Sequence, residues 1–90
     1  MNLAKLQAVL SSNQQYAQDI LGEQGATHVY NNGLNVSVNP TDYERIMEER
    51  LPDKRWTSPG KRPTVTNRFM SYDTPSGRIG IHTEFDCTKE

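Results

Sequence analysis

Residues 65–86, with the sequence VTNRFMSYDTPSGRIGIHTEFD, carry the clearest secondary-structure pattern of the chain. Residues 65–72 are rich in β-branched and aromatic side chains, which favour strands. Residues 73–77 contain a proline and a glycine, and Gly77 can adopt the positive φ that a tight turn requires. Beyond the turn, every second position is apolar or β-branched: Ile79, Ile81, Thr83 and Phe85. The pattern predicts a β-hairpin over about residues 65–86 with one buried face.

Two aromatic residues of the first of these strands cannot share one face. Phe69 and Tyr72 are three positions apart, and successive side chains of a strand point to opposite sides. In a sheet that is buried on one side, only one of them can join the core. We therefore expect the other to face solvent, a helix or a partner.

A second hairpin is predicted further upstream, over about residues 27–38. His28-Val29-Tyr30 and residues 34–38 flank Asn31-Asn32-Gly33, and an Asn-Gly pair favours a tight hairpin turn because both residues tolerate positive φ. Leu34, Val36 and Val38 alternate with polar residues, as expected for a strand that is buried on one face.

Helices are predicted on either side of this upstream hairpin. The first spans about residues 2–22, where apolar residues recur at spacings of three and four; Asn2 is its expected N-cap, and Gly22 or Gly25 its expected end. The second spans about residues 41–51: Thr41 and Glu44 fit a capping box, and Pro52 ends it. Its expected apolar stripe consists of Tyr43, Ile46, Met47 and Leu51.

The sequence therefore predicts one small single domain of the α+β class, with the order α-β-β-α-β-β. We expect the two hairpins to form one antiparallel sheet with the helices packed on one face. The core should be thin, since Leu, Ile, Val and Phe account for only 17 of the 90 residues. A thin core often gains stability from association, so a homodimer is a further prediction.

Composition also bears on the compartment. The net charge is −1, so the whole chain is not a polyanion binder, and no apolar run approaches the ~18–20 residues that span a bilayer. The first residues lack the pattern of a signal peptide, and Cys87 is the single cysteine, so no internal disulfide can form. We expect a cytoplasmic protein without membrane contact.

The most distinctive segment is a predicted basic loop, residues 52–64, in which three prolines and a glycine disfavour regular structure. This loop and the strand after it contain five of the ten cationic residues: Lys54, Arg55, Lys61, Arg62 and Arg68. Trp56, the single tryptophan, lies among them. Cations neutralise phosphates and an aromatic ring can stack on an unpaired base, whereas Trp and Arg are also enriched at protein-binding hot spots. Alternatively, the loop is plain solvated surface with Trp56 folded onto the core, and the upstream acidic residues pair with its cations.

The sequence supports catalysis less well than it supports binding. His82 and Glu84 lie on the same face of the last strand, which is a minimal arrangement for a small enzyme. A metal site would need His28, His82 and Glu84 to converge, and the chain lacks the further cysteines of a zinc deaminase. Cys87 is too near the chain end to be a well-positioned nucleophile, and residues 55–62 fail the P-loop pattern. We therefore expect no metal and no cofactor.

Three functional hypotheses follow. The first is a non-enzymatic binding module, a small regulator or inhibitor that docks on another protein through the loop containing Trp56, with Arg55 and Arg62 supplying charge-assisted contacts. The second is a nucleic-acid-binding protein that uses the same loop together with Arg68. The third is a small enzyme centred on His82 and Glu84.

Overall fold

The computed structural model describes residues 2–11, 27–30 and 33–87. These residues form two helices, α1 (Leu3–Leu10) and α2 (Pro40–Glu49). They also form five strands: β1 (Thr27–Tyr30), β2 (Gly33–Ser37), β3 (Lys54–Pro59), β4 (Val65–Thr74) and β5 (Gly77–Asp86). The α+β class is confirmed. The predicted continuation of the first helix over 12–22, its end at Gly22 or Gly25, and the turn residues Asn31 and Asn32 lie outside the described residues.

The described strands form one mixed sheet in the order β1-β2-β5-β4-β3. Both predicted hairpins are present as antiparallel pairs, β1 with β2 and β4 with β5. The prediction of a wholly antiparallel sheet is wrong, because β2 and β5 are parallel. The reason is the crossover that follows β2: α2 carries the chain to the far edge of the sheet, where β3 runs parallel to β2. The strands β4 and β5 then fill the gap between them.

The strand β3 is the main correction to the predicted order. Residues 52–64 are not a loop throughout, since Lys54–Pro59 pairs with β4, and the described order is α-β-β-α-β-β-β. The prolines permit this strand because Pro52 and Pro63 lie outside it and Pro59 is its last residue. The strand escaped prediction because it is exposed on an edge and shows no alternation of apolar and polar residues.

Both helices lie on one face of the sheet, as predicted. Leu6 and Val9 of α1 and Tyr43 and Ile46 of α2 share one buried cluster with the strands. The strand residues in this cluster are Leu34, Val36, Met70, Tyr72, Ile79 and Ile81. Tyr72 therefore belongs to the core, and Phe69 lies on the other side of the sheet, as opposite parity requires.

The helix ends depend on asparagine caps. The Asn2 side chain accepts from the amide of Lys5 at 2.8 Å, so the predicted cap of α1 is confirmed. The predicted capping box of α2 is wrong: Asn39 is the N-cap and accepts from the amide of Asp42 at 2.8 Å, since Pro40 fits the first helical position. The helix ends at Glu49, before Leu51, which consequently leaves the apolar stripe and is 79% exposed.

Tyr72 connects the sheet to the end of α2. Its ring is fully buried, and its hydroxyl donates to the carbonyl of Arg50 at 2.9 Å and lies 3.3 Å from the carbonyl of Ile46. Carbonyls at a helix end lack partners within the helix, so this hydroxyl supplies a donor that the end of α2 does not provide itself. Burial raises the pKa of the Tyr72 phenol to about 12.

We expect Tyr72→Phe to lower the free energy of unfolding by about 1 kcal/mol, because it removes the donor for the carbonyls at the end of α2. Urea unfolding followed by circular dichroism measures this change. Leu51→Ala is the control and should change stability by less than about 0.5 kcal/mol, since Leu51 is largely exposed. Equal stabilities of Tyr72→Phe and wild type would show that the hydroxyl contributes nothing.

The same phenol predicts a loss of stability in alkali. A tyrosine with a raised pKa in the folded state contributes stability that is complete below its ordinary pKa of 10 and is lost as pH rises towards about 12. We expect the free energy of unfolding to fall across this interval by up to about 1.4 kcal/mol per pH unit. Tyr72→Phe should show a shallower slope in the same titration. Parallel curves for the two proteins would contradict the assignment to Tyr72.

Candidate functional site

The predicted site residues divide between the two faces of the sheet. We call the face that carries neither α1 nor α2 in the described chain the open face. Lys54 and Trp56 belong to the open face, because Trp56 pairs with Phe69 across β3 and β4. Arg55 and Arg68 point to the helix side, at the parity of Met70. Lys61 and Arg62 lie in the connection from β3 to β4. The structure therefore does not bring the six residues together in one patch.

A row of three rings crosses the open face. Trp56 stacks on Phe69 with ring centroids 5.3 Å apart and planes 5° apart, and Phe69 lies 4.9 Å from the His82 ring. Because neighbouring rings cover one another, the ring surface that stays exposed is the side of Trp56 that faces away from Phe69, at the sheet edge. Trp56 is 48% exposed and is not folded into the core. An exposed tryptophan held in place by a second ring presents apolar surface at little entropic cost.

His82 lies within this row, surrounded by neutral polar groups. Its Nδ1 is 3.5 Å from the Ser37 hydroxyl, and its Nε2 is 3.4 Å from the Asn67 side-chain oxygen. Glu84, its predicted partner, is exposed. Within the described part of the chain, no three residues of the types His, Cys, Asp and Glu are grouped to hold a metal ion. The Cys87 thiol is exposed.

The strand β3, which contains Trp56, forms one edge of the sheet. Within residues 2–11, 27–30 and 33–87, no strand pairs with the outer side of β3. Gly60 donates to the carbonyl of Val65 across β3 and β4, and inward and outward amides alternate along an antiparallel ladder. The N–H and C=O groups of Arg55 and Thr57 consequently point outwards. Pro59 also occupies an outward position, where its missing N–H leaves the β3–β4 ladder intact.

On the helix side of the same edge lies a cavity of about 420 Å³. It is lined by α2, β3 and β4 through Tyr43, Met47, Arg55, Trp56, Thr57, Thr66 and Arg68. Burial raises the pKa of Tyr43, and the nearby Arg68 and Arg55 oppose that shift. The two guanidinium groups therefore act on the same phenol, although they come from different strands.

Two of the remaining charged residues of the segment, Asp53 and Arg62, form ion pairs. Arg62 binds Asp86 at 2.9 Å. Asp53 lies 3.5 Å from Arg50, which is not one of the cations of the predicted basic loop. The sequence analysis missed Tyr43, Thr57 and Phe69 as neighbours of the predicted residues. The opposite parity of Phe69 and Tyr72 already indicated that one of them lies outside the core, and this residue is Phe69. The position of Tyr43 beside the cavity depends on how α2 packs over the sheet, which the sequence pattern does not show.

Comparison with known proteins adds no functional information. No protein-family model matches the chain, and searches of curated proteins and of solved structures find no match.

Membrane insertion through a helix finds no support in the described residues. None of their helices combines the length and the apolar character needed to span a bilayer.

We expect Phe69→Ala to shift the emission of Trp56 to longer wavelength and to increase its quenching by acrylamide, because the supporting ring is lost. Steady-state fluorescence of the folded variant gives both values. The matched control is Phe85→Ala, which removes a ring below Arg68 and should leave the emission unchanged. Identical spectra for wild type and Phe69→Ala would refute the stacked pair.

Proposed function

We propose that the protein is a non-enzymatic binding module that docks another protein by adding an extended segment of that protein to β3, with Trp56 as the anchor. The observation that carries this proposal is the unpaired outer edge of β3 beside an exposed, supported tryptophan. Strand addition supplies affinity through main-chain hydrogen bonds and specificity through alternate side chains. Such a module acts as a small regulator or inhibitor by occupying a segment that its partner uses elsewhere.

The geometry of β3 supports strand addition at two levels. The outward N–H and C=O groups of Arg55 and Thr57 offer a partner strand the same ladder that β4 uses on the inner side. The outer face of Trp56 stands where a cross-strand neighbour on the added segment would pack, about 4.5–5.5 Å away at Cβ. An apolar or aromatic residue there would extend the row of Trp56, Phe69 and His82 by one member.

Charge favours an acidic partner over a second copy of the chain. The strand β3 carries Lys54 and Arg55 and no carboxylate, so pairing with itself would bring the cations of both copies to one interface without an opposite charge on either strand. The homodimer expected from the thin core remains a prediction, and β3 is an unfavourable interface for it. A segment with aspartate or glutamate would be complementary to this edge.

Nucleic-acid binding is the competing hypothesis, and the open face supports it less well than it supports protein binding. The rings of Trp56 and Phe69 cover each other, which leaves few flat surfaces for bases to stack upon. Asp73, Glu84 and Asp86 share the parity of the open face; Arg78 and Arg62 pair with the two aspartates, so these two cations are engaged and Glu84 would repel phosphates. The enzyme hypothesis lacks a partner for His82 that could act with it as an acid or base, among the contacts that the structure describes.

Selection of peptides tests the proposal. A displayed library of random twelve-residue peptides is selected against the folded protein, and binders are measured by fluorescence anisotropy. We expect Trp56→Ala to weaken binding by about 2 kcal/mol, roughly thirtyfold in Kd, as for an interface anchor. Thr57→Pro should weaken it similarly by removing an outward N–H, while circular dichroism checks that the fold is kept.

The control is Leu51→Ala, which removes an exposed apolar side chain that precedes β3 and is not part of it, and it should leave binding unchanged. Binding that survives both Trp56→Ala and Thr57→Pro would overturn the proposal. So would tight, salt-sensitive binding of a single-stranded oligonucleotide together with failure to select any peptide, because that result favours the nucleic-acid hypothesis.

A further inference from the structure

We propose that the cavity between α2 and the strands β3 and β4 is a pocket for the carboxylate of an aspartate or glutamate side chain on the docked segment. This inference rests on the proposed function and names the chemistry of the partner. The cavity of about 420 Å³ can contain such a side chain, and its cationic groups come from Arg55 and Arg68.

Both guanidinium groups are held by neutral partners. Nη1 of Arg55 donates to the sulfur of Met47 at 3.4 Å, and Cζ of Arg68 lies 4.0 Å above the ring of Phe85. Among the ion pairs of the described residues, none includes Arg55 or Arg68. These contacts involve no opposite charge and leave most N–H donors of the two cations available, and a guanidinium offers five such donors in a planar fork.

The other cavity residues suit an anion as well. Thr57, Thr66 and Tyr43 also line the cavity, and each of these residue types has a hydroxyl group that can donate a hydrogen bond. Burial raises the pKa of Tyr43, and Arg68 and Arg55 lower it. No aspartate or glutamate belongs to the lining residues that the structure describes. A carboxylate entering the cavity would meet donors without meeting a like charge.

The register of strand addition brings a side chain to this site. Arg55 and Thr57 occupy the outward positions of β3, and their side chains point to the helix side. A residue paired with either of them on an added strand would project its own side chain to the same side, beside the cavity. Its neighbours in sequence would project to the open face, beside Trp56. The docked segment should therefore alternate an acidic residue with an apolar one.

A small carboxylate tests the pocket without the peptide. Sodium acetate is titrated into the ¹⁵N-labelled protein at constant ionic strength, with sodium chloride as the balancing salt, and the Nε–H signals of Arg55 and Arg68 are followed by NMR. We expect saturable shifts of both signals. Arg55→Gln and Arg68→Gln should each weaken acetate binding by about tenfold or more, as the loss of a charge-assisted contact implies.

The control Arg78→Gln removes a cation of the open face that pairs with Asp73 and should leave acetate binding unchanged. Linear, unsaturable shifts would overturn the pocket, and so would saturation by inorganic phosphate with no response to acetate. Because acetate needs no strand, these outcomes are independent of the peptide selection. Peptides that bind through Trp56 and Thr57 but contain no acidic residue would overturn the pocket while leaving strand addition intact.

Discussion

The parallel ladder between β2 and β5 is the contact on which the sheet depends. It joins the hairpin of β1 and β2 to the strands β3, β4 and β5, and no other strand pairing in the described chain connects these two parts. Leu34 and Val36 of β2 reach the core beside Ile79 and Ile81 through this register. At position 80 of this ladder, a Cβ would lie 2.5 Å from the side-chain oxygen of Asn35, so a larger residue there would require the exposed Asn35 side chain to move.

The local hairpins were predictable because their information is contained in neighbouring residues. Alternation from Ile79 to Thr83 and the turn at Gly77, whose φ is 136°, define β4 and β5 without reference to the rest of the chain. The pairing of β2 with β5 joins residues more than forty positions apart, and no periodicity encodes it. The strand β3 was hidden for a different reason. An edge strand that is exposed on both faces has no apolar repeat, and its prolines resemble those of a loop.

The candidate site shows the same division. Sequence analysis identified Trp56 and the surrounding cations from composition, but it treated them as one cluster. Strand alternation puts the Trp56 and Arg55 side chains on opposite sides of β3. The stacked rings lie on the open face, and the cavity with two arginines lies on the helix side, where Trp56 also contributes to the lining. The convergence of Arg55, Arg68 and Tyr43 requires three elements to be correctly placed, and it could not be inferred from the spacing of these residues.

The position of β5 also has a consequence for how the chain acquires its structure during synthesis. It lies between β2 and β4 and is the last described strand to be made, since it spans residues 77–86. Until β5 has been synthesised, β2 lacks the strand that pairs with it on the inner side of the sheet. The apolar residues of α1 and α2 then have only part of the sheet to pack against. Domains commonly assemble as units once their chain is available, and here the decisive segment arrives late. Nascent chains that stop before β5 should therefore be targets for chaperones or proteases rather than partly working proteins.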